Sequence, residues 1–374
     1  MKISHLKFLS IFATLNYVKL ILMDNKHFYS LEKIFKESPT INLSKEDKFV
    51  IFSDIHIGNG GRNDDFLQNS DIFQTILSEY YLEKNYTLIL NGDIEELYKF
   101  SFKNIFNRWQ KVYEIFENFK NIGKLFKIVG NHDYKIYYSR THPVNKQLYR
   151  AIKLNYDGNL IFIFHGHQTA GLFEQYSTFI SYLLKYLAVP LGMKNGTIPL
   201  DSEKKFKTEI RSYLFSKSKK IISILGHTHR PLFESLSKKD DLTVKIERLI
   251  RKYPKADNLK KRKIEKLIKK YKLELENINE KDNRFFLRSG LYDEKILVPC
   301  LFNSGSVIGK RGSTAIEIKD GKISLVYWFD VKRSQRYLDY KGVKVKQLKG
   351  TDYFKAVLKE QSLDYIFTRI NLLA

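Results

Sequence analysis

Short apolar runs alternate with helical patterns along much of the chain. Five runs rich in Ile, Val, Phe or Leu, each followed by a turn signal, have the length and composition of buried strands. These runs are residues 48–53, 86–91, 125–129, 160–164 and 221–225. Helical patterns lie between them, for example over residues 65–84 and 105–120. Strands that alternate with helices in this way predict a layered α/β fold.

A predicted β-hairpin near the carboxyl end helps to divide the chain into parts. Residues 313–318 and 322–328 have strand patterns and are joined through Asp320-Gly321, a dipeptide that favours a tight hairpin turn. We expect five parts, which are a leader and helix (1–45), the first part of the core (46–236), an inserted basic helical hairpin (237–292), the completion of the core (293–330) and a tail (331–374).

Each of the first five predicted strands runs into a polar cluster. In chain order these clusters are Asp54-Ile55-His56, Gly92-Asp93, Gly130-Asn131-His132-Asp133, His165-Gly166-His167 and Gly226-His227-Thr228-His229. The carboxyl ends of the strands are where open α/β sheets bind ligands, so we expect the clusters to converge. Six of the nine histidines lie in them and no cysteine does. Nitrogen and oxygen donors of this kind suit manganese, iron or zinc.

Composition excludes several classes of protein. The 374 residues include 65 Lys and Arg against 41 Asp and Glu, which gives a net charge of +24 and leaves room for one large domain or two. An apolar content of 43% argues against wholesale disorder. The single cysteine, Cys300, excludes an internal disulfide framework and a zinc ribbon. No uncharged apolar stretch reaches the length of a membrane-spanning helix.

The amino-terminal segment is fairly apolar over residues 8–23 and follows Lys2 and Lys7. This pattern resembles a secretory signal, but Lys19 interrupts it and no small-residue cleavage site follows. We interpret the segment as an amphipathic leader helix or as an upstream extension, with translation starting at Met1 or at Met23. A cytoplasmic location is expected, with peripheral membrane contact as the alternative.

The ordered motifs SDIHIG, NGDIEE, GNHD, FHGH and GHTHRP resemble those of calcineurin-like metallophosphoesterases, and an NSGS segment follows at residues 303–306. The resemblance implies a sandwich of two mixed β-sheets flanked by helices. It also implies two divalent metal ions, with manganese favoured and iron or zinc as alternatives. The implied ligands are Asp54, His56, Asp93 and His229 for one ion, and Asp93, Asn131, His165 and His227 for the other.

Such a centre implies hydrolysis of a phosphomonoester, phosphodiester or pyrophosphate by a hydroxide that bridges the two ions. His132 is implied to protonate or stabilise the leaving oxygen, work that suits an imidazole. Asp133 is a candidate to orient His132, or else a helix cap. Arg62 and Asn63 are candidates for substrate contacts, although ordinary helix capping also explains such a segment. His167 fits either a substrate contact or a group that orients a neighbouring metal ligand.

The segment after Asp93 bears on the substrate. Protein phosphatases of this superfamily carry GD-x-V-D-R-G, whose arginine grips phosphate, whereas this chain has GDIEELYK. Its Glu95 and Glu96 fit either an exposed first helical turn or groups that support the metal ligands. The first motif and GNHD look more like the branch that contains a UDP-diacylglucosamine pyrophosphatase, but His-Gly-His stands here in place of that branch's His-Gly-Asp. The alternatives are a nucleotide- or lipid-linked pyrophosphohydrolase and a nuclease.

Two segments outside the motifs allow further interpretations. Residues 178–193 are apolar apart from Lys185 and predict a core helix or a cap over the metal site. Residues 238–272 contain 15 Lys and Arg against 5 Asp and Glu, with apolar residues at helical spacing and a break at Pro254. This hairpin fits a solvated helix pair, or a docking surface for nucleic acid or anionic lipid.

The expected partner is a phosphorylated small molecule or a lipid-linked substrate. A non-enzymatic scaffold that holds nucleic acid or another partner through the basic hairpin is the alternative from a different class. The tail, residues 331–374, carries no catalytic motif and fits a closing helix or a subunit contact. The oligomeric state is left open by the sequence.

Overall fold

The computed structural model describes most of the chain. The described residues are 27–138, 148–170, 202–236, 242–243, 245–246, 249–250, 252–279, 297–335, 337–338 and 343–374. The first 26 residues of the predicted leader and the apolar segment 178–193 lie outside them. The fold consists of two mixed β-sheets flanked by helices, as the sequence predicts.

The smaller sheet has five strands, which are β1 (Thr40–Asn42), β6 (Ala151–Tyr156), β7 (Asn159–Phe164), β8 (Ile222–Leu225) and β9 (Leu301–Asn303). They lie in the order β1-β6-β7-β8-β9. All neighbouring strands run parallel except β6 and β7, which are antiparallel.

The larger sheet has eight strands, which are β2 (Phe49–Phe52), β3 (Thr87–Asn91), β4 (Leu125–Ile128), β5 (Leu148–Tyr149), β10 (Ser313–Lys319), β11 (Lys322–Asp330), β12 (Lys344–Gln347) and β13 (Tyr353–Ser362). They lie in the order β12-β13-β11-β10-β2-β3-β4-β5. The half from β2 to β5 is parallel and the other half is antiparallel. The predicted β10–β11 hairpin is present.

Helices flank the two sheets. They are α1 (residues 27–37), α2 (Ser70–Ile76), α3 (Phe102–Arg108), α4 (Gln110–Asn121), α5 (Ser202–Lys219), α6 (Asn258–Asn279) and α7 (Leu363–Leu373). A 3₁₀ turn, Leu67–Asn69, precedes α2, and a π-helical segment, Leu77–Leu82, follows it. Other 3₁₀ turns are Tyr134–Tyr138, His167–Ala170 and Tyr253–Lys255.

The central strands are apolar throughout because both of their faces are buried. Side chains alternate between the two faces of a strand. In β2, Ile51 belongs to the core cluster shared with the five-stranded sheet, whereas Val50 and Phe52 belong to the cluster under α2 and α4. The same alternation separates Ile89 from Leu88 in β3. Strands covered on both sides read as continuous hydrophobic runs, which is the pattern found in the sequence.

The helix predicted over residues 105–120 is in fact two helices, and Trp109 separates them. Its backbone leaves the helical region, with φ −115° and ψ 36°. Its indole N–H donates to the carbonyl oxygen of Gly58 at 3.1 Å and to Oδ2 of Asp64 at 3.1 Å. The helical pattern runs through this position, but burial of the tryptophan against the loop after β2 breaks the helix there.

The tail contributes to the body of the fold. Strand β13 pairs with β11 and β12 and so extends the eight-stranded sheet. Helix α7 then packs into the core between the sheets through Leu363, Ile366, Phe367 and Ile370. The sequence suggests a closing helix here but misses both strands, because lysines interrupt their apolar pattern.

The basic insertion is described mainly through α6. This helix carries eight Lys and Arg against three Glu. Only part of the chain before it is described, so the predicted hairpin and its docking role stay predictions. Among the described residues, no helix is both long and apolar enough to cross a bilayer.

Candidate metal centre

The carboxyl ends of strands from both sheets meet at one place. Nδ2 of Asn91, at the end of β3, donates to the carbonyl oxygen of Phe164, at the end of β7, at 3.2 Å. The carbonyl oxygen of Asn91 in turn lies 2.8 Å from Nδ1 of His165. The backbone N–H of Gly226, after β8, donates to the carbonyl oxygen of His165 at 3.0 Å. The polar clusters therefore converge as the sequence predicts.

Five of the converging residues have a left-handed backbone. They are Asp54, His56, Asp93, His227 and His229, with φ between 49° and 64°. Residues other than glycine rarely adopt this conformation, and each instance costs about 1–3 kcal/mol. The left-handed residues turn the chain sharply at the end of each strand. The donor side chains that follow β2, β3 and β8 therefore face one common place.

One group of potential metal donors consists of Asp54, His56 and His229. Nε2 of His229 lies 3.1 Å from Oδ1 of Asp54 and 3.2 Å from Nε2 of His56. The backbone N–H of His227 donates to both carboxylate oxygens of Asp54, at 3.1 and 3.0 Å. The Asp54 carboxylate is thus fixed by the loop that carries His229.

A second group consists of Asp93, His165 and His227, and Asp93 also forms a third group with His56 and His132. In each group the ligand atoms lie within 4.8 Å of one another. Oδ2 of Asp93 lies 3.1 Å from Nε2 of His165 and 4.0 Å from Nε2 of His56. The Asp93 carboxylate therefore stands between the donors of the two sides.

The protonation states of the acids and of His227 suit a cation. Burial alone would raise the pKa of Asp54, but His229 outweighs burial and lowers it to about 2. The histidines around Asp93 similarly hold its pKa well below the usual value. Burial and the neighbouring His165 lower the pKa of His227 well below its usual value. The carboxylates are therefore ionised and His227 is neutral, which metal ligation requires.

Positive charge is favoured beside Asp93. Burial would lower the pKa of His165, but the Asp93 carboxylate raises it to about 9. For His132, burial also lowers the pKa, while Glu96 and Asp93 outweigh it and raise the pKa to about 9.

Two buried donor atoms fit a metal ion. Oδ1 of Asn131 and Nε2 of His165 are buried without a hydrogen-bond partner. Nδ1 of His165 faces the carbonyl oxygen of Asn91, so when a cation replaces the extra proton of this ring, Nδ1 keeps its hydrogen and the Nε2 lone pair faces Asp93 and the centre. Buried polar atoms normally have hydrogen-bond partners. A bound cation would accept a lone pair from each of these two atoms and so would satisfy both.

A comparison with known families agrees with this geometry. Residues 47–257, more than half of the chain, match the family model for calcineurin-like phosphoesterase. The chain belongs to the calcineurin-like phosphoesterase family. It is a phosphoester hydrolase, and the divalent metals typical of the family agree with its His and Asp donor groups. No individually curated protein gives a significant match to the sequence.

Glu96 contacts two histidines of the candidate metal centre. Its Oε2 lies 3.1 Å from Nδ1 of His56, and its Oε1 lies 2.8 Å from Nδ1 of His132. A carboxylate that accepts the Nδ1 proton leaves the Nε2 lone pair of His56 facing the centre. Glu96 is only 1% exposed, so the alternative of an exposed helical turn is wrong. Its position three residues after Asp93 is the only signal of this role in the sequence.

Glu95 is buried as well, in an ion pair of the phosphoesterase core. Its two carboxylate oxygens lie 2.5 and 2.6 Å from Nζ of Lys127, which is fully buried on β4. The hydroxyl of Tyr113 donates to the same carboxylate at 3.0 Å. This pairing keeps the charge of Glu95 compensated next to the centre.

Asp133 contacts the backbone of the phosphoesterase. Its carboxylate accepts from the N–H groups of Ile94 at 2.7 Å and Gly130 at 2.6 Å. The predicted contact with His132 is made by Glu96 instead. Asp133 therefore fixes the turn that carries Asn131 against the loop after Asp93.

The candidate substrate residues have different surroundings. Arg62 is exposed and Asn63 is half-buried. The adjacent Asp64 is buried and accepts from the backbone N–H groups of Gly58 at 3.0 Å and Gly60 at 2.7 Å, so the loop after β2 has a fixed shape. His167 is buried, with its ring centroid 5.5 Å from that of His165.

Glycine is required where the potential metal ligands Asp93 and His165 approach the backbone of neighbouring loops. A methyl group on Gly130 would overlap the Asp93 carboxylate, and one on Gly92 would overlap the ring of His165. The two glycines therefore allow donors from neighbouring strands to lie side by side.

We expect Gly130→Ala to displace the Asp93 carboxylate and to abolish stoichiometric metal binding, because the new methyl group and that carboxylate cannot occupy the same space. Bound metal per chain, measured by elemental analysis after dialysis, checks this. Gly61→Ala is the matched control, since its nearest neighbour is the end of the Asn59 side chain. Full metal content in Gly130→Ala would contradict the expectation.

Glu96→Gln should lower turnover by about 10–100-fold, the usual effect of losing a partner of a metal ligand. The amide oxygen can accept from one imidazole N–H, but the amide nitrogen then faces the second. Steady-state kinetics on a generic phosphodiester, beside the exposed variant Glu79→Gln, measures the effect. Equal turnover in both variants would show that the carboxylate contact is dispensable.

Proposed function

We propose that this hydrolase uses two divalent cations, with manganese as the preferred metal. The proposed ligands are Asp54, His56, Asp93 and His229 on one side, and Asp93, Asn131, His165 and His227 on the other. The observation that carries the proposal is the position of Asp93, whose carboxylate is common to donor groups on both sides. Bound cations of this kind make hydroxide available near neutral pH and neutralise the charge on phosphoryl oxygens.

The protein's own residues orient the substrate and move protons. His132 is the proposed proton donor to the leaving oxygen, because its Nδ1 is held by Glu96 while its Nε2 faces the centre, 3.9 Å from Oδ2 of Asp93. Its side chain is 18% exposed, so a bound substrate can reach it. Asn131 contributes a neutral oxygen, which limits negative charge at a site that must accept an anionic phosphoester.

The proposed substrate class is a small phosphorylated or lipid-linked compound. Leu97 stands where the protein phosphatases have their phosphate-gripping arginine, and it packs against the core under α2 and α4. Position 97 therefore provides no cation for a phosphate group. Arg62, Asn63 and His167 are the proposed substrate contacts instead.

A substrate panel distinguishes the reactions within this class. Release of a nucleoside monophosphate from a diphosphate-linked compound would identify a nucleotide- or lipid-linked pyrophosphohydrolase. Cutting of DNA or RNA would identify a nuclease.

The proposal includes a cytoplasmic location, supported by the lysine that interrupts the apolar amino-terminal segment.

We expect Asp93→Asn to lower turnover of a generic phosphoester by more than about 100-fold, because even partners outside the ligand set typically matter by about 10–100-fold. Dialysis of the unmodified enzyme against a chelator should abolish turnover, and Mn²⁺ should restore it. Asp71→Asn, at an exposed carboxylate on α2, is the matched control. Turnover that survives either Asp93→Asn or metal removal would refute the proposed centre.

A further inference from the structure

The loop Gly226–His229 presents two neighbouring histidines to opposite sides of the centre. His227 belongs to the group around Asp93, and His229 belongs to the group with Asp54. Both have a left-handed backbone, with φ 64° and 56°. Only Thr228 separates them, so the position of this one residue determines both imidazoles.

The Thr228 hydroxyl joins two other elements. It donates to Oε1 of Glu209 on α5 at 2.8 Å, and it accepts from Nδ2 of Asn303 at the end of β9 at 3.0 Å. Nδ2 of Asn303 also donates to the carbonyl oxygen of Gly226 at 2.8 Å. The loop is thus held from one side by a helix and from the other by a strand.

Glu209 is fully buried and carries the charge of this arrangement. Its carboxylate accepts from Nε of Arg230 at 3.3 Å and is also paired with Nη2 of that residue. Arg230 directly follows His229. Glu209 therefore binds the loop at Thr228 and again just beyond the second histidine, with a charge-assisted contact that is stronger than a neutral one.

We infer that Glu209 and Thr228 are positioning residues that hold the left-handed His227–His229 loop, so that one loop supplies a ligand to each metal position. This inference rests on the proposed function, because it assigns the loop to two metals. It differs from support of a single ligand, since one hydroxyl governs both sides. Removal of that hydroxyl should therefore weaken both metal-binding steps together.

Thr228→Val and Thr228→Ser form the decisive pair, with Mn²⁺ affinity measured by calorimetry on the full chain. Valine keeps the shape and removes the hydroxyl, while Asn303 and Glu209 keep their other partners. We expect Thr228→Val to weaken both binding steps by about tenfold or more. Thr228→Ser should restore them. Glu209→Gln, as a second variant, should also weaken both.

Fold integrity is checked by circular dichroism and by thermal unfolding of the metal-free chains, which a positioning role should change little. Ser216→Ala is the control, because it removes a buried hydroxyl of α5 whose partners are Ser212 and Ser223. Its metal affinity should match that of the unmodified chain. Equal affinities in Thr228→Val and the unmodified chain would overturn this inference alone. An unmodified chain that binds no Mn²⁺ would overturn the proposed function and the inference with it.

Discussion

The centre depends on hydrogen bonds that hold the carboxyl ends of two different sheets against each other. Asn91 contacts Phe164 through its side chain and His165 through its carbonyl oxygen, and the hydroxyl oxygens of Ser53 and Ser304 lie 2.7 Å apart. Neither sheet has a full set of donors. The eight-stranded sheet supplies Asp54, His56, Asp93 and Asn131, and the five-stranded sheet supplies His165, His227 and His229. The donor groups are therefore complete only when the two sheets are docked against each other.

Much of this could be predicted because the relevant signals are local. The central strands are buried on both faces, so their apolar runs are short and distinct. The polar clusters follow the strands directly, and parallel strands bring their ends to one edge. Position along the chain is then enough to place Asp54 near Asp93 without any knowledge of side-chain contacts. The sandwich of two mixed sheets follows from the same pattern together with the family resemblance.

The sequence does not reveal which side chains contact each other when they are distant along the chain. Glu96 acts on His132 across 36 positions, and no pattern distinguishes its carboxylate from that of Glu95, which pairs with Lys127. The contact of Glu209 with Thr228 spans 19 positions and begins in a helix without a motif. Strand β12 lies at the edge of its sheet and most of β13 is only half-buried, so both strands mix lysine with apolar residues and lose the strand signal.

The left-handed backbone of the five donor residues lowers the stability of the fold, but their side chains are needed for the reaction. Glycine would occupy such positions with less strain, but it offers no side-chain donor at all. Selection for stability alone would therefore move these positions away from aspartate and histidine, and only selection for the reaction keeps them. A descendant of this chain that lost its activity would be released from that conflict. Glycine at these five positions would then distinguish a chain that has lost the activity from one that keeps it.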